Sequence, residues 1–241
     1  MNHLLSKLFI VFLFSTHATL ADQDEKKRIV EKNYSVNSTT QLHITNSFGK
    51  VVIDSWDKSE FLIKVEIIGK GNNEDRALRI LDAIEVEISE SGNTVYCETR
   101  IDNNNNKSKN NEGFEINYTV NMPSSNPLFI NNRFGDVTMG DRDGDLELKV
   151  AYGSYKTGDI SGKSEVKLSF GSGSMNDIND GELTIKYSNL DVESATSLDV
   201  KQGFSNIEIG QVNDLELESK YGGIEIDKAD RNRSGGSFFR S

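Results

Sequence analysis

From residue 128 onward, apolar and polar positions alternate, and the alternation returns in phase every 17 or 18 residues. One aromatic marks each return: Phe134, Tyr152, Phe170, Tyr187, Phe204 and Tyr221. Apolar residues stand six and four places before it, as in Leu128 and Ile130, Leu146 and Leu148, Leu198 and Val200. Others stand three and five places after it, as in Val137 and Met139, Leu190 and Val192, Ile207 and Ile209. The third copy is weaker, with Gly173 and Met175, and two copies carry Ser164 or Gly181 at the first apolar place. Side chains on a strand alternate between faces, so the aromatic shares parity with the two apolar residues before it. That parity predicts a buried aromatic stack rather than a binding stripe. The odd step to the next apolar pair requires a bend. Small pairs such as Gly135-Asp136, Gly153-Ser154 and Ser205-Asn206 are read as that corner, in left-handed or bulged conformation. A second corner falls in the turn-rich stretches GDRDGD, TGDISGKS and NDINDG.

Two short strands and two corners per repeat predict an all-β fold, a β-solenoid (β-helix-like) whose stacked coils share one core. Hairpins in an antiparallel sandwich are the competing arrangement. They do not require an aromatic and a small-residue corner to recur in register. The same template fits upstream, where Leu42, Ile44, Phe48, Val51 and Ile53 occupy the five key places. Between this early copy and the rest lies an insertion of different texture. EFLIKVEII alternates as a strand, and Ala77, Leu78, Leu81 and Ile84 have helical spacing behind Asn73, a candidate N-cap. IEVEISESGNTVYCETR reads as two strands around a turn, DNNNNKSKNNEG as a polar loop, and FEINYTVNM as a further strand. The expected organisation is a signal peptide over 1–21, an opening coil with a strand and short-helix capping region over 22–125, solenoid repeats over 126–230, and a flexible tail over 231–241. Phe238 and Phe239 in that tail could cover the last coil.

The leader reading rests on Lys7, the apolar run LFIVFLF and the small residues Thr19 and Ala21 at the cleavage positions. The full chain carries a net charge of −11, and removing the leader's one lysine makes it one unit more negative. Nucleic acid is excluded as a partner, because phosphate binding needs clustered Lys and Arg. Cys97 is the one cysteine, so no intramolecular disulfide can form and burial must hold the fold.

Catalytic chemistry is sparse. His3 and His17 lie in the leader, leaving His43 on the outward parity of its strand, where it reads as solvent-facing. Cys97 reads as a packed strand thiol. No catalytic, cofactor-binding or metal residues are assigned. Asp141, Asp143 and Asp145 resemble the start of a calcium loop, but Leu146 stands where glycine is needed, so a polar corner is expected. Glu208, Glu216 and Glu225 could serve a carboxylate hydrolase or lyase. With Lys interspersed among the acids, they read as a solvated face.

Taken together, the leader, NSFGKVVIDSW, NEDRALRILDAIEVEI, GNTVYCETR and EINYTVNMPSSNPLFINNRFGDVTM resemble a bacterial family of exported β-strand-repeat proteins labelled "putative adhesins", over residues 30–230. The resemblance implies a right-handed β-helix-like body, export to the periplasm or surface of a Gram-negative bacterium, and no enzymatic motif. The aromatics Phe48, Phe134, Tyr152, Phe170, Tyr187, Phe204 and Tyr221 are expected to be structural. The expected function is a non-enzymatic envelope scaffold that binds a protein or glycan. A carbohydrate-active enzyme and an envelope sensor acting with a membrane partner are the alternatives. No cofactor and no transmembrane segment in the mature chain are expected.

Overall fold

The computed structural model describes residues 24–102 and 112–234. The expected signal peptide, most of the polar loop after Ile101 and the residues from 235, including Phe238 and Phe239, lie outside the described residues. The chain enters on β1 (Asp24–Ser35) and makes the early copy of the repeat as β2 (Gln41–Ser47) and β3 (Val51–Ser55). It then leaves the solenoid for β4 (Glu60–Gly71), α1 (Glu74–Asp82), β5 (Ile84–Ser91), β6 (Thr94–Ile101) and β7 (Gly113–Met122). It returns in β8 (Leu128–Arg133), β9 (Val137–Met139), β10 (Leu146–Ala151), β11 (Ser154–Thr157) and β12 (Ile160–Ser169). Four longer strands complete the stack: β13 (Ser172–Lys186), β14 (Asn189–Gly203), β15 (Asn206–Lys220) and β16 (Gly223–Ser234).

The result is a β-solenoid of about six stacked turns of roughly 17 residues. Its register is the one the repeat spells out. Leu42, Leu128, Leu146 and Ser164 are successive partners on one ladder, while Val51, Val137 and Tyr155 are partners on the other. The 86-residue separation in sequence is closed: β2 lies beside β8, and β3 beside β9. Apolar residues at the expected places fill the interior, with Leu148, Val166, Leu183, Val200 and Leu217 all at most 2% exposed. The defective copies are compensated by neighbouring coils. A Cβ on Gly173 would stand 2.5 Å from Cζ of Tyr155, so the large ring of one coil fills the space left by the next. Gly181 in the same way makes room for Leu198.

Each coil also has a third, short side inside the stretch read as a polar corner. Ile160, Ile178, Ala195 and Val212 stack there in register and are buried. A single inward residue among polar neighbours leaves no alternation to read, which is why the pattern missed it. In the first full coil that inward place is held by Arg142, bridged to Ile160. The insertion does form the expected helix and strands. Asn73 caps α1, its side chain accepting from Arg76 N at 2.9 Å. Ile80 is buried there while Leu78, expected on the apolar face, is 39% exposed. At the other end, β16 runs to Ser234, beyond residue 230 where the repeats were expected to give way.

Candidate functional site

The seven repeat aromatics are not in the core. They are 40% to 77% exposed, from Phe48 to Tyr221. The cause is local. Every one of them has positive φ, between 52° and 61°. A left-handed residue in a strand breaks the alternation, turning outward a side chain that parity would send inward. The left-handed bend therefore lies on the aromatic itself, not on the small pair behind it. That pair is small for another reason. A Cβ on Gly135 would stand 2.0 Å from the backbone oxygen of Gly49, and one on Gly153 would stand 2.2 Å from that of Gly135. Successive coils approach backbone to backbone at this point.

The turned-out rings form one continuous ridge. Neighbouring rings stack at centroid distances of 4.9 to 5.1 Å, with interplanar angles of 1° to 14°. The ridge is roughly 30 Å long, since one ring sits on each strand spacing. Apart from the outer face of Tyr221, ring faces are occupied by neighbouring rings, so what solvent meets along the ridge is edges and the hydroxyls of Tyr152, Tyr187 and Tyr221. Each non-glycine left-handed residue costs roughly 1–2 kcal/mol. Each stacked pair returns about 0.5–1.5 kcal/mol. With seven left-handed residues and six stacked pairs, stacking offsets only part of the backbone strain.

The two faces beside the ridge differ in charge. On the face built by β8, β10 and β12, outward acids fall in one column from Glu147 through Glu165, Glu182 and Asp199 to Glu216. Four of these are matched by lysines: Lys149–Glu147 at 2.7 Å, Lys167–Glu165 at 2.6 Å, Lys163–Glu182 at 2.6 Å and Lys201–Asp199 at 3.2 Å. Glu216 belongs to this column, as the solvated-face reading expected. On the other face, Asp191, Glu208 and Glu225 are adjacent in register. With Glu193 and Asp227 they line a groove of about 300 Å³. Among the described residues none of these five makes an ion pair. The lysine of this column, Lys156, lies two coils before Asp191.

The remaining candidates sit apart. His43 faces outward but is half-buried, stacked on Phe129 at 3.9 Å with Tyr96 on its other side. Burial lowers its pKa below the ordinary value, and among the described residues the ring's side-chain hydrogen-bond partner is Thr45 rather than a carboxylate. Cys97 is fully buried, and burial pushes its thiol pKa far up, which removes the nucleophilic thiolate. Asp141 and Asp145 accept backbone N–H bonds from Asp159 and Lys163 in the next coil, both at 3.0 Å, and Asp143 meets Ser124. They work as corner pins, and among the described residues no group of three or more His, Cys, Asp or Glu is placed to hold a metal. Arg142 was not singled out in the sequence. It is 1% exposed, donates to the Asn126 carbonyl, and burial pulls its pKa down to about 10. Among the described residues no helix is long and apolar enough to cross a membrane.

No protein-family model matches the chain, and no curated protein matches it. Solved structures do. The chain is similar to a "putative cell adhesion protein" from Clostridium sporogenes, at 16% identity over 86% of this chain and all of that one, with a TM-score of 0.36. A "putative adhesin" from Bacteroides fragilis matches at 13% identity over 85% of this chain and 97% of that one, with a TM-score of 0.43. Another from Parabacteroides distasonis matches at 8% identity over 90% and 96%, with a TM-score of 0.36.

Proposed function

We propose that the protein is an adhesin-like, non-enzymatic interaction scaffold, exported to the periplasm or surface of a Gram-negative cell, whose contact surface is the aromatic ridge. The observation that carries this reading is the exposure of all seven rings along one edge. Seven aromatics at about half exposure present roughly 600 Å² of apolar surface, the upper end of what a soluble monomer shows. Because stacking offsets only part of the backbone strain, the ridge is not kept for stability, and its exposed apolar area is best explained by recognition. With ring faces covered, it offers edges and three phenol hydroxyls, which suit a protein surface better than a stacked sugar.

The test is a triple variant, Tyr152→Asn, Phe170→Asn and Tyr187→Asn, because asparagine tolerates the left-handed backbone. The variant keeps its circular dichroism and loses crosslinks to envelope partners in intact cells. Unchanged crosslinks would reject the ridge as the contact surface. A second reading, a carbohydrate-active enzyme, is favoured by one observation: five carboxylates around a single groove. Turnover of a polysaccharide panel, abolished by Glu208→Gln, would select that reading over the scaffold.

A further inference from the structure

We propose that the cleft between β1 and β5 is a docking slot for an extended peptide segment of the form acid–x–apolar–x–acid, which joins β5 as an added strand. This goes beyond the ridge and uses a different surface. The two strands end the sheet path: among the described residues β1 pairs with β4 alone, and β5 with β6 alone. Between them lies a cleft of about 340 Å³ lined by Arg28, Val30 and Lys32 on one wall and Glu85, Val86, Glu87 and Ile88 on the other, the two glutamates standing on the outward parity of β5.

The free edge of β5 already behaves as half a ladder. Lys32 Nζ donates to Ile88 O at 2.6 Å, Tyr34 OH donates to the same oxygen at 3.3 Å, and Arg28 Nη2 donates to Ile84 O. In an antiparallel pair, alternate residues turn their backbone groups to the same edge, so Val86 between them faces the cleft too. Side chains from another strand thus stand where the N–H groups of a neighbouring strand belong. An incoming peptide supplies those N–H groups itself, which is how strand addition gains affinity.

Charge selects the peptide. Arg28, Val30 and Lys32 alternate along β1 and share a face, giving a wall that reads cation, apolar, cation at every second residue. A strand laid along β5 has the same period of two. Its residues facing that wall match when they read acid, apolar, acid. As the peptide's N–H groups take the carbonyls of Ile84 and Ile88, Arg28 and Lys32 turn to its carboxylates and form charge-assisted bonds.

The probe is a fluorescein-labelled Ser-Glu-Thr-Val-Thr-Glu-Ser peptide titrated with the purified protein by fluorescence anisotropy. Saturable binding is expected, weakened about tenfold or more by Val86→Pro, since proline removes the edge N–H yet is tolerated on an edge strand. Backbone N-methylation of the peptide has the same effect on the unaltered protein, which keeps the test valid should the proline variant fail to fold. The double reversal Arg28→Glu and Lys32→Glu shifts preference to a peptide carrying lysines in place of glutamates. Absence of saturable binding, or equal binding by the N-methylated peptide, overturns the slot and leaves Arg28 and Lys32 as guards against edge-to-edge aggregation. Neither result bears on the ridge, whose own variant is read by crosslinking.

Discussion

Two columns of this solenoid have the same register and the same spacing, yet one is interior and the other is the outermost edge. The apolar column of Ile44, Ile130, Leu148, Val166, Leu183, Val200 and Leu217 is buried throughout. The aromatic column four residues further along each strand is exposed throughout. Nothing in residue type separates them, since Phe and Tyr belong in cores as readily as Leu. The difference is one backbone torsion per coil, repeated seven times. Periodicity therefore fixes which residues stack on which, while the sign of φ decides on which side of the wall they stack.

That contrast can be broken from either side. Truncating the inner column has the largest effect: Leu148→Ala, in a fully buried position, costs about 2–5 kcal/mol in urea unfolding. Filling the bend comes next. Gly153→Val forces a side chain against the Gly135 backbone and costs about 1–3 kcal/mol, although no apolar contact is removed. Truncating the outer column is milder and carries a distinctive sign. Tyr187→Ala loses two stacked neighbours but keeps the left-handed strain, whereas Tyr187→Gly relieves it. The glycine variant is expected to be the more stable of the two by about 1 kcal/mol, the reverse of the order in an ordinary strand. The smallest effect belongs to His43. Its folded-state pKa is lowered by burial, so the stability it contributes is fully present above pH 6.5. That contribution is lost as the pH falls through the folded value, and an NMR titration of the ring should show the lowered midpoint.

Much of the architecture was legible in the sequence. The early copy at Phe48, the coil length, the insertion's helix with its Asn73 cap, and the buried Cys97 all follow from spacing and residue chemistry. What was not legible depended on contacts between coils. The outward aromatics could not be read because left-handed backbone is uncommon for Phe and Tyr, and parity gave the opposite side. Arg142 escaped because an inward arginine flanked by aspartates looks like any polar corner. The groove escaped because Asp191, Glu208 and Glu225 are 17 residues apart, and only the stacked register shows that they adjoin while the lysine of their column, Lys156, is two coils before Asp191.

Native-state tyrosine modification by N-acetylimidazole, mapped by mass spectrometry, tests the outward ridge most directly. Tyr152, Tyr187 and Tyr221 should be acetylated readily, while Tyr118 and Tyr155, at 0% and 3% exposure, stay protected until the protein is unfolded. Protection of Tyr187 equal to that of Tyr155 would place the aromatic column inside the wall and contradict the account.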